Sequence, residues 1–138
     1  MKVRRVRVGQ WKVLALCNER GDCDLLDFLA GLGQRHVKDR TRLLALLDRV
    51  AEHGPPNNAA VSHHLSGEVW EFIQGGLRVL WFYDAGKVVV CSNGLLKKTQ
   101  KIPPGDIRLA ETRCAAYRVS KKAQAVEILN DDEEGEEL

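Results

Sequence analysis

Between Gly67 and Pro103 the chain reads GEVWEFIQGGLRVLWFYDAGKVVVCSNGLLKKTQKIP. Its apolar and polar positions there follow the two-residue period of strands, rich in aromatic and β-branched residues. Glu68 to Gln74 is predicted as one strand, Leu77 to Tyr83 as a second and Lys87 to Ser92 as a third. Gly75-Gly76 and Asp84-Ala85-Gly86 supply the turns between them. On the middle strand Leu77, Val79, Trp81 and Tyr83 share one face, while Arg78, Leu80 and Phe82 share the other.

The flanking segments carry the longer period of helices. Val37, Leu43, Leu44, Leu47, Val50 and Ala51 form an apolar stripe on a helix predicted from about Gln34 to His53, ended by Gly54-Pro55-Pro56. Arg35, Lys38, Arg42 and Arg49 crowd its other faces. Before it, Asp24 can cap a short helix carrying Leu25, Leu26, Leu29 and Leu32, which Gly31 and Gly33 break. Trp11 to Cys17 suits a buried first strand, with residues 1–9 as a basic arm ahead of it and Asn18 to Asp22 as a turn after it. Pro103-Pro104 starts a last helix on which Ile107, Ala110, Cys114 and Tyr117 make one buried stripe. The expected architecture is α+β: an N-terminal strand, a two-helix hairpin, a three-stranded antiparallel meander and a C-terminal helix.

Composition sharpens this picture in one respect. The 138 residues suffice for one domain with a single core. The formal charge of +2 hides a division: seven of the 19 acids fall in residues 127–138, which hold no Lys or Arg. The body, residues 1–126, is therefore strongly basic, which suits a polyanionic partner such as nucleic acid. The acidic tail, 127–138, is expected to be disordered by like-charge repulsion. No apolar run is long enough to span a membrane and no secretory leader is seen, so the expected compartment is the cytoplasm. Cys17, Cys23, Cys91 and Cys114 show no CxxC spacing. They read as four reduced, partly buried small hydrophobes, with no metal and no cofactor implied.

The wording of the central segment, together with its element order, resembles the RelE/ParE superfamily of bacterial toxins, closest to its HigB-like, phage-associated branch. The residues that carry the resemblance are Trp70-Glu71-Phe72, Leu77-Arg78-Val79-Leu80-Trp81-Phe82-Tyr83, the knot Lys97-Lys98-Thr99-Gln100-Lys101 with Pro103, and Ile107, Ala110 and Arg113. The resemblance implies a metal-free endoribonuclease that cuts mRNA on the ribosome. It also implies neutralisation by a helix-turn-helix antitoxin from an adjacent gene. The superfamily contains gyrase poisons too, so a non-catalytic binder of the same fold, or a decayed toxin, is the alternative.

Such cleavage needs a base near the attacking 2′-OH, cations around the phosphorane and an acid near the leaving oxygen. Arg78 is the candidate for bidentate phosphate contact, against the plainer reading of a strand arginine that pairs with Glu71. As an outward charge it is expected to matter for cleavage and not for folding. Lys97 and Lys98 point opposite ways in extended structure, so one of them lines the site; neighbouring cations would lower its pKa toward that of a base. Arg113 is placed to close over the same site. Thr99, Gln100 and Lys101 are candidate RNA contacts, as are Tyr117 by stacking and His64. Where relatives often carry a histidine before the glycine of the knot, this chain has Asn93, which cannot exchange a proton at neutral pH. His63 or His64, in the loop expected from Pro55 to His64 just before the sheet, is the available substitute.

Overall fold

A single mixed sheet, wider than a three-stranded meander, organises the chain. The computed structural model describes residues 1–97 and 101–129. Its elements are β1 (Lys2–Val8), β2 (Lys12–Cys17), α1 (Asp24–Ala30), a 3-10 turn at Gln34–His36, α2 (Val37–His53) and β3 (Ser62–Ser66). They continue with β4 (Val69–Gln74), β5 (Leu77–Asp84), β6 (Val88–Leu96), α3 (Pro104–Lys122) and β7 (Glu127–Leu129). The strand order is β3-β4-β5-β6-β2-β1-β7. The β2–β6 and β1–β7 pairs are parallel and the others antiparallel.

The α+β class stands, but the predicted architecture of one strand plus a three-stranded meander does not. Three segments expected to be irregular are strands. The basic arm is β1: Val3 is fully buried, and its backbone pairs with β2 on one side and β7 on the other. Its alternation of valine with arginine is the signature of a strand with one wet face. Ser62–Ser66, expected as loop, is the edge strand β3; its SHHLS sequence gives little apolar signal because the ladder to β4 holds it. The start of the acidic tail, Glu127–Leu129, is β7. Residues 130–138 of that tail lie outside the described residues.

Helices cover both faces of the sheet. Leu43, Leu46, Leu47 and Val50 of α2, with Leu25 and Leu29 of α1, pack on Val13, Ala15, Phe72, Val79, Trp81 and Val89. On the opposite face Cys114 and Tyr117 of α3 pack on Val3, Leu14, Leu16, Phe82 and Val90, while Ala110 packs with Leu80 and Ile102. The predicted alternation along β5 is therefore real, and both of its faces are buried. Gly94 marks the closest approach of α1: a Cβ there would run into the ring of Phe28. Gly75 takes a positive φ of 56° in the β4–β5 turn, where the Asp39 carboxylate accepts the neighbouring Gly76 N–H at 3.3 Å.

The cysteines also depart from expectation. Cys17 ends β2 and Cys23 precedes α1; the turn between them brings their Cα atoms to 4.1 Å and they form a disulfide. Only Cys91 and Cys114 are free, and both are buried. Burial pushes the Cys91 thiol up to about 12, so it stays protonated. Cys23, not Asp24, occupies the cap position of α1, and Asp24 sits in the first turn. Among the described residues no helix is long and apolar enough to cross a membrane.

Candidate functional site

The main cleft lies on the α3 side of the β3–β4 edge and encloses about 710 Å³. Its walls come from β3, β4, Lys97 just after β6, Lys101 and Ile102 ahead of α3, and the first turns of α3. Ile73, Ile102 and Ile107 give it an apolar floor, and His63, Lys97, Lys101 and Arg108 set three cations and an imidazole around it. Glu71 and Glu111 are its acids.

Register explains how the polar members meet. His63 and Glu71 are directly opposite on β3 and β4, and their side chains approach to 3.4 Å between Nδ1 and Oε2. Arg78 pairs across from Ile73, one diagonal step from Glu71, and its Nε lies 3.3 Å from Glu71 Oε1. Glu71 and Arg78 are both buried, while His63 keeps half its surface in water. The Glu71–Arg78 contact is an ion pair with poor hydrogen-bond geometry: among the described residues Oε1 and Nε each lack a hydrogen-bond partner. The guanidinium is fixed instead through Nη1, which donates to the carbonyls of Gly75 at 2.7 Å and Leu77 at 2.9 Å.

Arg78 is therefore not an outward charge. It lies behind Glu71, outside the lining of the cleft, so its removal touches the core as well as the chemistry. Lys97 and Lys101 do line the cleft. Lys98, Thr99 and Gln100 lie outside the described residues. Arg113 does not close over the cleft: it pairs with Asp24 and donates to the Ser92 carbonyl at 3.1 Å, tying α3 to α1 and β6. Tyr117 is 2% exposed and its hydroxyl donates to Asp84, which leaves no ring face for a base. His64 points to the other face, with Nε2 2.7 Å from the Gly67 carbonyl and its ring edge-on to Trp70. Asn93 is buried opposite Leu80, and among the described residues neither of its amide atoms has a hydrogen-bond partner.

Arg108 and Glu111 also line the cleft, and neither is among the candidates read from the sequence. The visible signal was their place in the first turns of a helix that follows the lysine knot. A second polar centre, around Asp84 at the far end of β5, was not foreseen. Asp84 accepts hydrogen bonds from Tyr117, Lys121 at 2.8 Å and Arg118 at 3.3 Å. Burial alone would raise its pKa, but the hydrogen bonds from Lys121, Tyr117 and the Ala85 N–H outweigh that and hold the carboxyl below its ordinary range. Burial, then the Asp84 carboxylate, pushes the Tyr117 hydroxyl well up.

Basic residues also mark the opposite side of the molecule. Arg35, Lys38, Arg42 and Arg49 are exposed along one stripe of α2 and its preceding turn. Arg42 and Arg49 line a second groove of about 480 Å³ with Asn57, Asn58 and Gln74. The loop from Asn57 to Val61 separates this groove from the main cleft. Among the described residues no group of three or more His, Cys, Asp or Glu is placed to hold a metal ion.

No curated protein matches the chain. A family model described as phage-derived protein Gp49-like (DUF891) matches residues 32–115. The match runs through α2, β3 to β6 and most of α3, and includes every residue named in the main cleft. By this match, which spans well over half of its length, the chain belongs to the phage-derived Gp49-like family.

Proposed function

We propose that the protein is the toxin of a toxin–antitoxin pair, an endoribonuclease that cuts mRNA on the ribosome and so stops translation. A helix-turn-helix antitoxin from the adjacent gene would neutralise it. Membership of a phage-derived Gp49-like family fits that context. The observation that carries the reading is the cleft: Lys97, Lys101 and Arg108 surround a half-exposed histidine backed by a buried carboxylate. Cations answer the charge of a phosphorane, and an imidazole can move a proton at neutral pH. The α2 arginine stripe suits the docking of a polyanion such as ribosomal RNA.

One observation favours a non-catalytic binder of nucleic acid or of a nucleic-acid enzyme instead. Asn93 is buried and cannot exchange protons at the place where the resemblance expects a histidine. The two readings separate in a translation extract programmed with a defined mRNA. Cleavage fragments that appear only when ribosomes are present support the endoribonuclease. Arrest with intact mRNA supports the binder, and double-strand DNA breaks in cells would point that binder at gyrase. Expression without harm in several hosts would remove the toxin reading.

A further inference from the structure

We infer that His63 is the proton-transfer group of this cleft and that Glu71 positions it. The inference rests on the ribonuclease reading and deepens it. Asn93 is buried and proton-inert, and His64 faces away against Trp70 and the Gly67 carbonyl. His63 alone of these three residues lines the cleft. Its partner comes with the fold: the β3–β4 register sets Glu71 opposite, with Oε2 3.4 Å from Nδ1.

A buried carboxylate beside Nδ1 favours the tautomer that carries its proton there, leaving Nε2 as the basic nitrogen. The same carboxylate stabilises the imidazolium once Nε2 is protonated. Arg78, with Nε 3.3 Å from the other oxygen, holds Glu71 in place. The charged or titratable groups that share the cleft with His63 are Glu71, Lys97, Lys101, Arg108 and Glu111. Glu111 is engaged by the Ser66 hydroxyl at 3.3 Å.

In the reaction, Nε2 of His63 takes the proton of a ribose 2′-OH as that oxygen bonds to the adjacent phosphorus. The bond from phosphorus to the 5′-oxygen breaks, and that oxygen takes a proton from the Lys97 ammonium. The products are a 2′,3′-cyclic phosphate and a 5′-hydroxyl. His63 then releases its proton to water and Lys97 regains one, so no further reactant is consumed.

The test is single-turnover cleavage of ribosome-bound mRNA across pH. His63 is half-exposed, so His63→Ala should fold normally by circular dichroism. It should cleave about 10²–10⁴-fold more slowly. The limb of the pH–rate profile that reports an imidazole should vanish, and added imidazole should restore part of the rate. Glu71→Gln should lower the rate less, leave KM unchanged and shift the profile, which a merely structural residue would not do. His53→Ala, at the end of α2, should match the wild type. If the wild type cleaves and folded His63→Ala cleaves at the same rate, this inference is overturned while the ribonuclease reading survives. If the wild type cleaves nothing under these conditions, both fall.

Discussion

Strand β5 carries a buried charge at each end of one face, and the two are treated oppositely. Arg78 and Asp84 both point toward the α3 side, about 20 Å apart. Asp84 is met by α3 itself, with Tyr117, Arg118 and Lys121 all converging on its two oxygens. Arg78 is met by Glu71 and by carbonyls of its own turn, and the pair is left with orphaned atoms behind an open cleft. The saturated centre is what a fold builds to lock a helix to a sheet. The unsaturated one is an ion pair buried just behind a cavity ringed with cations. Burial of a charge does not by itself mark a site; what separates the two centres is that only the Glu71 pair borders accessible space ringed with cations.

Substitutions at the two centres and at the cleft rim probe that contrast. The largest effect should come from Arg78→Ala, which strands a buried Glu71 carboxylate and should cost about 3–5 kcal/mol of stability in urea unfolding, along with cleavage. Replacing both residues, as Glu71→Leu with Arg78→Leu, should recover most of that stability and none of the activity. Recovery of both together would place the catalytic centre elsewhere. Next, Asp84→Ala should lose about 2–3 kcal/mol by unpairing the buried Tyr117 hydroxyl, with the cleavage rate per folded molecule unchanged. A specific loss of cleavage there would dissolve the division between the two centres.

The Asp84 centre should also have its own pH signature. Its folded pKa lies below its unfolded one, so its stabilisation is present above about pH 4 and disappears as pH falls through the lower folded value. The stability gap between wild type and Asp84→Asn should therefore narrow in acid and hold steady from pH 5 to 8. Tyr117→Phe should cost about 1 kcal/mol, measured as a shift in the urea midpoint. The smallest effect belongs to the cleft rim. Arg108→Ala should weaken RNA binding across sequences and reduce the salt dependence of affinity by about one phosphate contact. An unaltered salt slope would mean that RNA does not pass over that rim.

What could be read in the sequence was whatever depends on neighbours along the chain. The alternation on β5 and the α3 stripe of Ala110, Cys114 and Tyr117 were legible because both follow fixed periods. The outer strands were not. β3 is polar and held by backbone pairing, and β7 is three residues at the head of an acidic run. The residue types of the site were legible as chemistry, but not their company. Tyr117 was read as a base-stacking candidate because nothing in a linear sequence shows that Asp84 lies above it. The pairing of His63 with Glu71 depends on a strand register that only the β3–β4 ladder sets. The cysteine reading failed for the same reason: a turn of five residues decides whether Cys17 and Cys23 can meet.

The parallel pairing of β2 with β6 has a consequence for how the protein is made. Those central partners, Lys12 to Ala15 and Val88 to Cys91, lie 76 residues apart along the chain. The early β1–β2 hairpin must wait, with the apolar edge of β2 unpaired, until the later strands have emerged. Folding should accordingly be slow for a chain of this length, because a large loop closes before its contacts compensate. Nascent chains halted before β6 should be prone to aggregate through that edge. The cleft is accordingly among the last parts of the molecule to be assembled, since Lys97, Lys101 and Arg108 are translated only after the strand that completes the centre of the sheet.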